Sequence, residues 1–198
     1  ADALGDLVTF TVTATNPVTG KKQYVAMTVP QEIAIGLQSV PELTAQHGGL
    51  SRDPKARAHV DQVGRRLLDR TQLGDKAPYE FNFHLLADPD TVNAFALPGG
   101  QVFITQALYG RLESEGQLAG VLGHEIGHVI ERHAAEHLAS AQLTQGLTGA
   151  AVLATYDPNN PASRGSAAIA ALIGQLINLK YGRNDELESD RWGVELTS

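Results

Sequence analysis

Apolar and polar residues alternate through residues 7–29, on both sides of Asn16-Pro17-Val18-Thr19-Gly20. A period of two around a Pro/Gly centre predicts two extended segments joined by a turn. Pro30 then opens an amphipathic helix over Gln31 to Val40, because proline fits the first helical position. Pro41 to His47 adds a further turn or two before Gly48-Gly49 stops it. A cleaner helix follows, with Asp53 as N-cap, Pro54 as first residue, and Ala56, Val60, Val63 and Leu67 recurring at spacings of three and four.

Tyr79, Phe81, Phe83 and Leu85 alternate with other residues and predict a strand with one buried face, ended by Asp88-Pro89-Asp90. Val92 to Leu97, Pro98-Gly99-Gly100 and Gln101 to Thr105 read as strand, tight connection, strand. Ser114 with Gln117 forms a capping-box pattern. It opens a long helix through Leu118, Val121, Leu122, Ile126, Val129 and Ile130, expected to reach near Leu143. Gly, Ala, Leu and Ile dominate 146–156 and 165–179, around Asp157-Pro158-Asn159-Asn160-Pro161, which predicts a close-packed helical hairpin. A last helix runs from near Asn184 to about Leu196. The expectation is an α+β fold, mainly helical with a small antiparallel or mixed sheet. Residues 1–30 form an extended hairpin segment and 31–198 the main domain, expected to be truncated at its C-terminus.

Composition changes this picture in only a few places. With 198 residues, 42% hydrophobic and 19% charged, the chain can bury a full core, which excludes a disordered or low-complexity protein. A net charge of −7 makes nucleic acid a poor partner. No run reaches the roughly 18 apolar residues that span a bilayer, although a peripheral membrane contact stays open. The chain contains no cysteine, so a metal would have to sit on His, Asp or Glu.

One segment carries chemistry: His124-Glu125-Ile126-Gly127-His128. Four residues at about 100° each bring His128 to within about 40° of His124, one turn along. Two imidazoles thus leave one helix face at a spacing that suits zinc, while Glu125 can reach a water beside the ion without being a ligand. A catalytic zinc takes three protein ligands and one open position. His133 and His137 lie near in sequence, but on one continuous helix His133 falls about 900° past His124, on the opposite face, and they read as far-side polar or packing residues. Ala134 six residues after His128 excludes the extended three-histidine motif. In Glu186-Leu187-Glu188-Ser189-Asp190, Glu186 and Asp190 share a helix face at i,i+4. One of them can bind metal while the other supports an imidazole.

Three stretches resemble one family. Asn93-Ala94-Phe95-Ala96-Leu97-Pro98-Gly99-Gly100 with Val102-Phe103-Ile104-Thr105 is similar to its strand pair before the zinc helix. Leu118 to His128 followed by Arg132-His133 is similar to the zinc helix itself, and Tyr181-Gly182-Arg183 with Glu186 to Asp190 and Gly193 to the second zinc motif. The family is that of the gluzincin metallopeptidases that include HtpX and the type I CAAX prenyl protease, and the likeness is greatest to soluble periplasmic or lipoprotein members. Asn16 to Gly20 and Gln31 to Ala34 also resemble the N-terminal region of those members. Ser189 stands where the family usually has alanine.

The resemblance implies a zincin-like metalloprotease domain with one zinc ion on His124, His128 and Glu186, Asp190 in support, and Glu125 as catalytic base. It implies polypeptide substrates, among them unfolded envelope proteins, in the bacterial periplasm or envelope, with the strand through Ala94 to Leu97 bordering the cleft. Two rivals remain: a non-hydrolytic zinc-containing binding or chaperone protein on the same scaffold, and a zinc aminopeptidase.

Overall fold

The computed structural model describes residues 12–145 and 167–198. The helix expected over 146–156 and the turn after it lie outside the described residues, as does the start of the first extended segment. What is seen of that segment is a hairpin, β1 (Val12–Thr15) antiparallel to β2 (Lys22–Val25), with Val12 opposite Val25. Asn16 closes its turn by accepting from the Val18 and Thr19 amides through Oδ1.

Helix α1 (Val29–Gln46) absorbs both expected pieces into one, with Pro30 in its first turn and Pro41 inside it. Thr28 and Gln31 cap it reciprocally. Helix α2 (Pro54–Thr71) starts as expected, Asp53 Oδ1 accepting from the Lys55 and Ala56 amides. A single turn, α3 (Leu73–Lys76), leads to β3 (Asn82–Leu86). Next come β4 (Ala94–Leu97) and β5 (Gln101–Thr105), joined through Gly99 and Gly100 at φ 80° and 99°. The sheet is mixed, with β5 in the middle, parallel to β3 and antiparallel to β4. Burial on β3 extends to both faces, since Leu85 and Leu86 are both sealed. The sheet lies between two apolar clusters, and a strand in that position has no solvent face.

After a turn of helix, α4 (Gln106–Tyr109), the chain enters α5 (Glu115–Glu131). The Gln117 amide donates to Ser114 Oγ as expected, but the Gln117 side chain accepts from the Glu113 amide rather than closing the box on Ser114. The long helix does not reach Leu143 unbroken. Arg132 adopts φ 60°, ends α5, and starts α6 (His133–Gln145) on a new axis. A left-handed arginine costs about 1–2 kcal/mol. Offsetting that cost, its guanidinium donates to Glu32 Oε2 at 2.8–2.9 Å and to the Met27 carbonyl at 3.0 Å, all in the interior. The last described elements are α7 (Ala167–Ile177) and α8 (Arg183–Thr197).

One cluster joins α2, α5 and one sheet face through Val60, Leu67, Leu85, Ile104, Leu122 and Ile126. The other joins β2, α1, α6 and α7 to the opposite face through Val25, Ile35, Leu86, Phe103, Ala135 and Ile173. Among the described residues no helix is long and apolar enough to cross a membrane.

Candidate metal centre

Two helices far apart in sequence, α5 and α8, lie against each other through small residues. A Cβ on Gly127 would stand 2.9 Å from Ser189 Cα and 2.9 Å from Trp192 Cβ, and one on Gly123 would stand 3.1 Å from Gly193 Cα. Close backbone approach of this kind is what glycine permits. It carries Glu186 and Asp190 to the face from which His124 and His128 project. His124 Nε2 lies 3.1 Å from His128 Nε2 and 3.3 Å from Glu186 Oε2, and His128 Nε2 lies 3.7 Å from Glu186 Oε1. The three donors fall within 4.8 Å of one another.

Asp190 Oδ1 sits 2.9 Å from His124 Nδ1. A carboxylate only accepts, so His124 donates from Nδ1, and Nε2 is the nitrogen on the side of Glu186. Burial, with His133 and His124 adding to it, holds the pKa of His128 down to about 3, so this ring is neutral near pH 7. Two imidazoles and a carboxylate converging at this spacing fit a divalent metal cation.

Glu125 is buried, only 8% exposed. Loss of hydration pushes its pKa up to about 8, and the nearby Glu186 charge pushes in the same direction. A cation at the three donors opposes both effects.

The break at Arg132 places two residues that the continuous-helix reading sent to the far side. His133 is fully buried, with Nδ1 2.9 Å from His128 Nδ1 and Nε2 3.2 Å from Glu188 Oε2. His137 Nε2 donates to Asp185 Oδ2 at 2.8 Å, and the Gly182 amide donates to the same oxygen. That anchor holds Tyr181, whose ring stacks on His128 at 4.1 Å between centroids. Nothing in the spacing pointed to Tyr181 or His133 as neighbours of the pair. The one available signal was their presence in the stretches that carry the resemblance. Beside His128 runs a small cleft lined by Ala96, Leu97, Pro98 and Tyr181. Ala96 and Leu97 belong to β4, one of the two edge strands of the sheet.

The hairpin reaches this region from behind. Asn16 Nδ2 donates to the Ile130 carbonyl, Gln23 Nε2 to the Glu131 carbonyl, and Tyr79 Oη to the Val129 carbonyl. Carbonyls at a helix C-terminus otherwise lack partners. Lys21 Nζ bridges Glu131 and Glu188 at 2.9 and 3.0 Å.

Residues 54–198 match the family described as Peptidase family M48. The beta-barrel assembly-enhancing protease of Escherichia coli (strain K12) is 31% identical over 192 residues, which cover 92% of this chain and 37% of that protein. The mitochondrial metalloendopeptidase OMA1 of Schizosaccharomyces pombe is 27% identical over 192 residues, covering 92% of this chain and 51% of that protein. The metalloendopeptidase OMA1 of Bos taurus is 36% identical over 124 residues, covering 58% and 22%. The chain thus spans between about a fifth and a half of the relatives' own lengths.

Proposed function

The chain belongs to peptidase family M48, and on that premise we propose a zinc-dependent endopeptidase that cuts polypeptides in the bacterial envelope, unfolded envelope proteins among them. The observation that carries the proposal is the meeting of His124, His128 and Glu186 within 4.8 Å beside a buried glutamate. In this reading those three side chains hold zinc, and Asp190 orients His124 through Nδ1. Zinc bound there supplies a Lewis acid that acidifies a water and polarises a carbonyl.

The work of the chain is proton handling and alignment. The Glu125 carboxylate takes the proton of the attacking water and returns it to the leaving amine nitrogen. The free edge of β4 accepts an extended peptide as an added strand, which draws the scissile bond past the imidazole pair. Tyr181 and the Asp185 anchor hold the His128 ring in place while substrate exchanges. Residues 31–198 form the metallopeptidase unit, and the hairpin before residue 31 braces the end of α5.

Within the family we place the chain with envelope members rather than with HtpX or the CAAX prenyl protease. The support is the name of its bacterial relatives, which concerns β-barrel assembly; mitochondrial relatives carry the endopeptidase name in another compartment. A peripheral membrane contact belongs to the same proposal.

The test pairs zinc content with cleavage of casein and of an unfolded outer-membrane protein, with product ends mapped by mass spectrometry. Stoichiometric zinc, chelator-sensitive internal cuts, and a Glu125→Gln variant that keeps zinc but loses cleavage are expected. Full activity in that variant, or metal without proteolysis in the wild type, overturns the reading in favour of a binder. Products released only from the N-terminus indicate an aminopeptidase.

A further inference from the structure

We propose that Lys21, in the turn of the hairpin, is a positioning residue for the metal donors: its ammonium clasps α8 to the end of α5 and so keeps Glu186 at the imidazole pair. The consequence for a metal rests on the reading above; the clasp itself does not. Lys21 Nζ lies 2.9 Å from Oε2 of Glu131, the last residue of α5. It also lies 3.0 Å from Oε1 of Glu188, two residues after Glu186 and two before Asp190. The other oxygen of Glu131 accepts from Trp192 Nε1 of α8 at 2.8 Å. One carboxylate at the end of α5 thus joins the hairpin to α8.

Burial decides which of these contacts carries weight. The side chains of Lys21 and Glu188 are 49% and 38% exposed, and a pair of that kind contributes little by itself. The Glu131 side chain is only 5% exposed, and a buried carboxylate deprived of its cation is costly. Its surroundings add to that cost. The pKa of Glu136 on α6 is raised by burial first, then by the charges of Asp185, Glu188 and Glu131, so four acids from α5, α6 and α8 crowd one region. Without the ammonium, Glu131 and Glu188 repel each other across the contact of α5 with α8. The half of α8 that is pushed away is the one bearing Glu186 and Asp190. Lys21 is itself held in place. The Asn16 amide donates to the Lys21 carbonyl at 2.7 Å, and Asn16 Nδ2 donates to the Ile130 carbonyl, next to Glu131. The clasp therefore comes from outside residues 54–198, the stretch that matches the family.

The experiment compares the purified wild type with Lys21→Met and Lys21→Met/Glu188→Gln, zinc-free and zinc-loaded. Competition with a chromophoric chelator reads zinc affinity, melting of the zinc-free protein reads the clasp, and amide hydrogen exchange over β2 reads the reverse coupling. Lys21→Met is expected to bind zinc at least about fivefold more weakly, the lower end of couplings between distinct sites. The sign is diagnostic, because loss of a cation acting only through its charge draws a dication in more tightly. The double variant should recover most of the affinity, since Glu188→Gln removes the repulsion and keeps an oxygen for His133 Nε2. Coupling is reciprocal, so zinc should slow exchange over β2 in the wild type and not in Lys21→Met.

Lys21 is half exposed, so its variants keep the fold. A smaller loss or a gain of zinc affinity in Lys21→Met, a double variant that binds no tighter than Lys21→Met, or exchange over β2 indifferent to zinc overturns the inference. If the wild type takes up no stoichiometric zinc, the metal-site reading fails and the zinc-free melts judge the clasp. There the double variant should melt above Lys21→Met, and a melting point at or below that of Lys21→Met overturns the clasp as well.

Discussion

The two histidines of α5 stand four residues apart in opposite surroundings. His124 is 24% exposed and leans on Asp190, a side chain 67% exposed. His128 is 4% exposed, stacked under Tyr181 and backed by the fully buried His133. Behind it lies the buried Glu32–Arg132 pair that fixes the turn into α6. One side is a solvent-facing entry, where water and a peptide can arrive; the other is a closed wall that holds a donor in place. Buried charge is expensive to disturb and exposed charge is cheap, so the contrast predicts where substitutions will hurt.

The largest effect belongs to the proposed base, the buried Glu125. Glu125→Gln is expected to lower peptide cleavage by about 10²–10⁴-fold with zinc retained, measured by turnover and metal analysis on the same sample. In the zinc-free protein the same residue shapes stability against pH. Its folded-state pKa of about 8 lies above its ordinary 4.5. The folded chain therefore binds the extra proton between these values, and stability is full below 4.5 and falls as pH rises toward 8, by up to about 5 kcal/mol. Zinc-free Glu125→Gln should lack that decline, a difference that urea titrations at pH 5 and pH 9 will read. His128 has the opposite sign. Its folded value of about 3 lies below 6.5, so its contribution is full above 6.5 and is lost as pH falls.

Next comes the closed wall itself. Glu32→Ala leaves the Arg132 guanidinium buried without its carboxylate and should cost about 3–5 kcal/mol, seen as a lower urea midpoint with an unchanged slope. Equal stability would mean the turn at Arg132 holds without the pair, and the wall is less rigid than it looks. Gly127→Val drives a side chain into the backbone of α8 and should cost about 1–3 kcal/mol. Zinc affinity should fall with it, because Glu186 retreats with α8. Smallest is the exposed side: Asp190→Asn keeps an oxygen for His124 Nδ1, and its stability should stay within about 0.5 kcal/mol of wild type. A larger thermal shift there would erase the distinction between the two sides.

The local parts of the site were readable because their rules are local. The i,i+4 spacing put His124 and His128 on one face, Asp53 and Ser114 announced their helices, and Pro98-Gly99-Gly100 marked the strand connection. Glu186 and Asp190 were legible as a pair, yet spacing alone left open which of them binds metal, and only the resemblance chose between them. His133 was misplaced for a definite reason: counting 100° per residue assumes an unbroken helix, and arginine is not a residue that signals a left-handed stop. The stop exists because Glu32, one hundred residues earlier, receives the guanidinium in the interior.

Helical periodicity and capping chemistry act within a few residues, and the sequence by itself therefore determined the α+β class, the paired imidazoles, the adjacent carboxylate and the exclusion of thiolate ligands. Only the tertiary structure decided that α8 comes close enough for Glu186 to complete the donor set, that α6 turns His133 back onto His128, and that Lys21 of the hairpin reaches Glu188. Each of those depends on surfaces fitting across long stretches of chain, through glycines at one contact and a buried ion pair at another.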